Sequence, residues 1–435
     1  MKRDIIVIGG GASGLAAAIS VKKEGKDVLL IEREERLGGI LNQCIHNGFG
    51  LEVFKEEYTG PEYADIYIEE FNQLNIDYLV NTTVIKFNKI KDEFVLYTSS
   101  LAKGIQKYNA KSIIISTGCY ERTRGSIIIP GDRPTGVITA GSAQRYLNID
   151  GYMVGKRVFI LGSGDIGLIM ARRMYLEGAE VLGVAELMPY SNGLTRNIVQ
   201  CLNDFDIPLY LSHTVTKITS DENNRLKSIV LQKVDDRFKP IEGTQKTFEV
   251  DTLLLSIGLI PDIVLLDSLD VEYDKLTKSV KVNQALETQV EGLFVAGNAL
   301  QVHDLADNVS KESERAGYNA AKYVDNPKRK HKTIKLLSGE NISYISPQYI
   351  DFAWPESDVI CSFRSKGKIE KGLIEVIQGE NKVLSKRLMY IVPAEMETFS
   401  LKIESLNENE DIIINLEAIK WKKNLYVSFV QEVVI

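Results

Sequence analysis

The chain has 435 residues, room for roughly two to four domains and a large buried core. Hydrophobic residues make up 44% and charged residues 26%, an ordinary globular balance that excludes disorder over most of the length. Lys plus Arg is 52 against 59 Asp plus Glu, a net charge of −7, which speaks against the basic face that general nucleic-acid binding needs.

The N-terminus carries Lys2-Arg3 and an apolar stretch to Val21, broken by Gly9, Gly10 and Gly11. It lacks a smooth apolar core and a small-residue cleavage pattern, so it reads neither as a signal peptide nor as a spanning helix. No other stretch approaches the roughly 18 apolar residues of a spanning helix. We expect a soluble, cytoplasmic protein without an integral membrane segment. Any membrane association would be peripheral, through a partner.

The run Asp4-Ile5-Ile6-Val7-Ile8 reads as a strand buried in a parallel sheet. Gly9-Gly10-Gly11-Ala12-Ser13-Gly14 follows as a GxGxxG, then Leu15 to Lys23 at helical spacing, then Asp27 to Ile31 as a second strand ending in Glu32. The glycines permit a tight turn, close backbone approach to a pyrophosphate and helix–strand packing. The helix N-terminus offers free N–H groups to phosphate oxygens. Glu32 lies 23 residues after Gly9, where a carboxylate can accept from both ribose hydroxyls.

The pattern returns. Arg157 to Leu161 is a strand, Gly162-Ser163-Gly164-Asp165-Ile166-Gly167 a second GxGxxG, Leu168 to Glu177 helical, and Glu180 to Ala185 a strand ending at Glu186. Past each βαβ unit lies a β-rich stretch, Tyr78 to Tyr108 and Leu209 to Phe248, expected as antiparallel strands. Each stretch closes on an apolar strand and a small-residue turn, Ser116-Thr117-Gly118 and Ser256-Ile257-Gly258. The chain reads as a duplicated nucleotide-binding fold.

These motifs, with Ile257-Gly258-Leu259-Ile260-Pro261 and the late Gly292-Leu293-Phe294-Val295-Ala296-Gly297-Asn298, resemble the two-dinucleotide-binding-domain flavoproteins that include the pyridine nucleotide–disulfide oxidoreductases. The resemblance covers residues 1 to about 325. It implies FAD in the first fold, at Gly9, Gly11, Ala12, Ser13, Gly14, Glu32, Gly39, Val84, Thr117, Gly118, Gly297 and Asn298. It implies NAD in the second, inserted fold, at Gly162, Gly164, Asp165, Ile166, Gly167, Glu186 and Gly258. In the family an aspartate of the last turn holds the ribityl chain of the flavin. Here Asn298 stands in its place.

Disulfide reductases of this family carry a CxxxxC or a CxxC, and this chain has neither. Its four cysteines, Cys44, Cys119, Cys201 and Cys361, are scattered and share no metal-ligand spacing. Nor do the histidines, so no metal is assigned. A lone Cys44 cannot shuttle two electrons as an internal dithiol pair. It is either a sulfenate cysteine, as in NADH oxidases and peroxidases of the same fold, or a packing residue beside the cofactor. Cys119 reads as packing.

The segments Gly38 to Tyr63, Ser116 to Gly141 and Val302 to Asp307 resemble one branch, the FAD/NAD-dependent subunits found beside FAD-linked glycerol-3-phosphate dehydrogenase, with related subunits in sarcosine oxidase and in opine, proline and cyanide-forming amine dehydrogenases. The resemblance implies a hetero-oligomer in which a flavoprotein dehydrogenase subunit is the partner. His303 reads either as a residue near the flavin or partner surface, or as a helix-capping and packing residue.

Asp325 to Lys335, with Pro327-Lys328-Arg329-Lys330-His331-Lys332, reads as a solvated linker; the alternatives are a docking strip for an acidic partner or an anionic cofactor edge. From Ile342 on, short alternating runs suggest a small β-sandwich in place of the α+β dimerisation domain of disulfide reductases.

The expected architecture is α/β: two Rossmann-like three-layer folds plus a C-terminal β-domain. FAD-binding segments fall at 1–120 and 263–325, the NAD(P)-binding domain at 121–262, and linker with β-domain at 326–435. The expected activity is hydride transfer between NAD(H) and FAD, with electrons passing to or from the partner. Its rivals are a stand-alone NADH oxidase or peroxidase using Cys44 and a flavin-bearing scaffold with a vestigial NAD site.

Overall fold

The computed structural model describes residues 1–327, 329–354 and 358–419, in two compact units, Met1–His331 and Lys332–Ile435. Within the first unit, β1 (Lys2–Ile8), α1 (Ala12–Lys23) and β2 (Val28–Ile31) form a βαβ unit, followed by α2 (Gly60–Gln73), β3 (Asp77–Leu79), β4 (Thr82–Ile90), β5 (Glu93–Ser100) and β6 (Gly104–Ile115). The sheet order is β3-β2-β1-β6-β5-β4. Strands β3, β2, β1 and β6 run parallel, and β4, β5 and β6 form an antiparallel meander. The stretch expected as antiparallel from Tyr78 therefore begins differently: its first two residues, Tyr78 and Leu79, extend the parallel sheet. The apolar runs of β1 and β2 are buried because helices cover the parallel sheet.

The chain then builds a second sheet from β7 (Val137–Thr139), followed by α3 (Ala140–Asn148), β8 (Arg157–Leu161), α4 (Asp165–Leu176), β9 (Glu180–Glu186), α5 (Thr195–Cys201), β10 (Leu209–Leu211) and β11 (Thr252–Leu255). Its order is β7-β11-β8-β9-β10, all parallel. Side-chain alternation along β8 separates two cores. Val158 and Ile160 pack with the helices, through Leu168, Ala171 and Met174. Phe159 and Leu161 pack against the antiparallel strands of residues 213–249, through Ile229 and Leu231.

The chain returns to the first sheet with β12 (Leu293–Val295), parallel to β6, and ends the unit with α6 (Ala306–Asp325). Helices α1 and α6 approach at a glycine: a Cβ on Gly317 would lie 2.3 Å from the Ala17 carbonyl oxygen. A short antiparallel pair, Cys119–Glu121 with Leu259–Pro261, joins the two folds. No described helix is long and apolar enough to cross a membrane.

The second unit contains β13 (Thr333–Ser338), β14 (Ile342–Ser346), β15 (Tyr349–Asp351), β16 (Asp358–Ser365), β17 (Ile369–Gln378), β18 (Asn381–Ile391), β19 (Glu397–Lys402) and β20 (Ile412–Ala418). They make a five-stranded sheet, β15-β13-β20-β17-β18, and a three-stranded sheet, β14-β16-β19. Ile412, Ile414 and Leu416 are buried with Val359, Phe363 and Phe399 in one core, while Ile413 is exposed. The linker expected to reach Lys335 is shorter, since β13 begins at Thr333. Ile334 and Leu336 face the core there, and Lys335 between them faces out. Residues 420–435 lie outside the described region.

Phe363 is fully buried against Phe399. We expect Phe363→Ala to cost about 3–5 kcal/mol by truncation and cavity formation, measured by denaturant unfolding.

Candidate functional site

The Gly9–Gly14 loop joins the carboxyl end of β1 to α1. A Cβ on Gly14 would lie 1.7 Å from the Gly9 carbonyl oxygen, so packing alone demands glycine there. Gly11 is different. Its φ of −81° suits any residue, and a Cβ there would meet nothing nearer than the Gly39 Cα at 3.9 Å. Its open side leaves backbone accessible to a ligand. The second loop repeats the arrangement. A Cβ on Gly167 would lie 2.6 Å from the Gly162 oxygen, whereas one on Gly164 would meet Ser256 Oγ at an ordinary 3.4 Å.

The two acidic residues repeat as well. Glu32, 6% exposed, accepts hydrogen bonds from the N–H groups of Gly10 (2.5 Å) and Glu34 (2.8 Å). Glu186, 5% exposed, accepts from the N–H groups of Ser163 (3.0 Å) and Met188 (3.0 Å), and from Ser163 Oγ (2.7 Å). In each fold the carboxylate ties the second residue of its glycine loop to the residue two places beyond itself.

The remaining residues singled out in the sequence fall around these loops. Ala12 and Ser13 open α1, and Ser13 Oγ joins a hydroxyl chain with Ser116 (3.0 Å) and Ser313 (2.7 Å). Gly39 packs against Gly11. Val84 is buried in β4, whose first residue donates its N–H to the Glu32 carbonyl at 3.0 Å. Thr117 Oγ1 donates to the Asp262 carbonyl, and Gly118 carries a positive φ beside it. Gly297 packs against Ser13, which brings the late Gly297–Asn298 turn onto the first glycine loop. Asp165 and Ile166 open α4; the Asp165 carboxylate is occupied by Leu194 N–H (2.8 Å) and Asn197 Nδ2 (2.7 Å), leaving its backbone as the group that can serve a phosphate. The Gly258 carbonyl accepts from Arg122 N–H at 2.9 Å.

Several contacts had no signal in the sequence. Gln43 Nε2 donates to the Gly141 carbonyl and to Gln144 Oε1, both at 3.0 Å, and Asn148 Nδ2 donates to the Gln43 carbonyl at 2.9 Å. This buried amide junction fastens the segment after Gly39 to α3 of the second fold. Asp307, 1% exposed, accepts from Gly50 and Val53 N–H groups and so anchors the loop after Cys44 to α6. His303 lies outside α6, which starts at Ala306, and its ring meets Glu312 at 3.1 Å.

Burial pushes the Cys44 thiol up to about 12. The thiol is enclosed although the residue keeps some surface, and it donates to the Ile40 carbonyl at 3.3 Å. Burial likewise raises Cys119 to about 11, partly offset by a hydrogen bond from Asn298. Both are protonated at neutral pH, the wrong state for a redox nucleophile.

The profile of the pyridine nucleotide-disulphide oxidoreductase family matches residues 3–313. The chain belongs to this family. Thioredoxin reductase of Bacillus subtilis (strain 168) is 24% identical over 76% of this chain and 98% of its own. Hydrogen cyanide synthase subunit HcnB of Pseudomonas protegens is 22% identical over 63% of this chain and 60% of its own. The crystal structure of T. acidophilum thioredoxin reductase superposes with a TM-score of 0.61 at 22% identity, over 75% of this chain and 99% of that one, a likeness of fold. Family members are oxidoreductases that use FAD and NAD(P)H, and this chain is an enzyme of that class. The open sides of Gly11 and Gly164, each beside a tethered glutamate, fit two dinucleotides.

Two expectations follow from this geometry. Gly11→Ala folds but loses FAD affinity, whereas Gly14→Ala lowers the melting temperature of the apoprotein; thermal melts and FAD titration separate the two. Cys44 resists alkylation at neutral pH in the native state and reacts once the chain is unfolded, as peptide mapping with a mass-tagged reagent would show.

Proposed function

We propose that the first fold carries FAD, the second carries NAD(H), and the chain passes electrons to or from a partner dehydrogenase subunit that oxidises glycerol 3-phosphate. The observation that carries the two-cofactor reading is the repeated arrangement of Glu32 and Glu186, each hydrogen-bonded to its own glycine loop. In this reading the FAD pyrophosphate lies along the Gly9–Gly14 loop, with Gly39, Thr117, Gly118, Gly297 and Asn298 around the rest of the cofactor and Val84 near the adenine end. The NAD pyrophosphate lies along Gly162–Gly167, with Gly258 toward the nicotinamide. When both are bound, the cofactors supply hydride exchange between nicotinamide and flavin. The chain's own task is to orient the rings and exclude water, and the buried Gln43–Gln144 junction serves both.

The partner reading rests on what the chain lacks and on its relatives. It has no dithiol in its sequence, and the thiols of Cys44 and Cys119 are held protonated. A relative over most of the first unit is itself named as a subunit, of hydrogen cyanide synthase. The same protonated Cys44 weighs against the oxidase or peroxidase alternative, and the intact second loop weighs against a vestigial NAD site. Four free cysteines accord with a cytoplasmic location.

Glu186 would accept from the adenine ribose hydroxyls and repel a 2′-phosphate, and residues 187–192 contain no Lys or Arg to offset it. We expect kcat/KM for flavin reduction to favour NADH over NADPH by roughly tenfold or more. Replacing Glu186 by Ser and Leu187 by Arg narrows that ratio, and equal rates in the unaltered chain would contradict the assignment. The partner is tested by steady-state assay. NAD-linked oxidation of glycerol 3-phosphate appears only when the chain is co-expressed with a flavoprotein dehydrogenase, and the isolated chain turns over slowly with O₂. Rapid NADH oxidation by the isolated chain, lost in Cys44→Ser, would favour the oxidase instead.

A further inference from the structure

The two nucleotide folds repeat one another closely, but the second residues of their glycine loops differ. In the first fold that residue is Gly10. A Cβ there would lie 2.8 Å from Leu37 Cδ2 and 3.1 Å from Glu32 Oε2, so packing leaves no room for a side chain. In the second fold it is Ser163, fully buried, whose hydroxyl donates to Glu186 Oε2 at 2.7 Å.

The difference changes what each carboxylate has left to offer. An ionised carboxylate accepts at about four positions, two on each oxygen. Glu32 uses one on each: Oε2 accepts the Gly10 N–H and Oε1 accepts the Glu34 N–H. Among the described residues, one position therefore stays open on both oxygens. Glu186 uses one position on Oε1, with the Met188 N–H, but two on Oε2, which accepts both the Ser163 N–H and the Ser163 hydroxyl. Among the described residues, only its Oε1 keeps an open position.

The serine hydroxyl is held in this arrangement. The Asn192 N–H donates to Ser163 Oγ at 3.1 Å, and Ser191 Oγ donates to the Ser163 carbonyl at 3.2 Å, so the loop after β9 closes on this residue. With its oxygen accepting from Asn192, the hydroxyl directs its proton to the charged acceptor, Glu186.

We infer that Ser163 sets the number of ribose hydroxyls that the second fold binds. Glu32 accepts from both hydroxyls of an adenosine ribose, one on each oxygen, whereas Glu186 accepts from one, through Oε1. The inference rests on the reading that the second fold binds NAD(H), and it narrows the Glu186 contact from two hydroxyls to one. Ser163 acts through Glu186 and is a positioning residue. The second fold thereby grips its nucleotide less firmly than the first, which suits a substrate that leaves after each turnover beside a cofactor that stays.

The test is calorimetry on the FAD-loaded protein with NAD⁺, which cannot reduce the flavin, and with its analogues lacking the 2′- or the 3′-hydroxyl of the adenosine ribose. In the unaltered chain one analogue should bind about tenfold more weakly than NAD⁺, and the other within about twofold of it. Ser163→Ala frees the second position on Oε2, so both analogues should then bind about tenfold more weakly than NAD⁺. The substitution also takes the acceptor from the Asn192 N–H. Any loosening of that loop moves all three ligands together, so the ratios between them are the readout. Equal ratios for the two analogues in the unaltered chain, or dependence on a single hydroxyl that persists in Ser163→Ala, overturn the inference and leave the NAD reading standing. If Ser163→Ala fails to fold, the two ratios in the unaltered chain decide. A chain that binds no NAD⁺ overturns both.

Discussion

The structure depends on one steric constraint used twice: the third glycine of each fingerprint presses on the carbonyl oxygen of the first. With Gly14 against Gly9 and Gly167 against Gly162, any Cβ would overlap a backbone atom. The contact turns the chain from a buried parallel strand directly into a helix, so the first helical N–H groups face the carboxyl end of the sheet. Everything that assembles there relies on that turn. Glu32 and Glu186 reach the loops only because the loops fold back on themselves. Gly297 meets Ser13 only because α1 starts where it does, and α6 keeps its place by close approach of Gly317 to Ala17.

Burial decides the redox character of the site. A thiol acts as a redox nucleophile only when ionised, and enclosure of Cys44 and Cys119 opposes ionisation. Hydrogen bonds do not reverse this: Cys44 donates to a carbonyl, which favours the protonated form still further. A chain that shares the fold of thioredoxin reductase thus carries two glycine loops of the same geometry, while burial holds the Cys44 and Cys119 thiols towards the protonated form. The buried amide junction at Gln43, Gln144 and Asn148 links the segment carrying Cys44 to the second fold.

Much of the fold was legible in the sequence because its strands are either wholly buried or strictly alternating. The apolar runs of β1, β8 and β11 have no polar face to confuse their reading, and β20 alternates cleanly between buried Ile412, Ile414 and Leu416 and outward neighbours. The strand β13 was hidden because its two inward residues, Ile334 and Leu336, sit among lysines that only mark its solvent face. Both glycine loops and their acids were legible from spacing. The His303–Glu312 pair was not. Glu312 lies on α6 and His303 in the loop before it, so their nine-residue separation matches no helical or strand period, and only the folded-back loop brings them together.

Buried carboxylates also organise this site. Glu32, Glu186, Asp307 and Glu312 are each almost fully enclosed, and each accepts at least one backbone N–H from a loop distant in sequence or from a glycine turn. Enclosing a charge is unfavourable unless it is hydrogen-bonded, and loop N–H groups are the donors that a ligand cleft has in surplus. The arrangement solves both problems at once. Each acid satisfies donors that secondary structure cannot reach, and each loop is thereby held rigid before any ligand arrives. A cleft built this way has little loop ordering left to perform on binding.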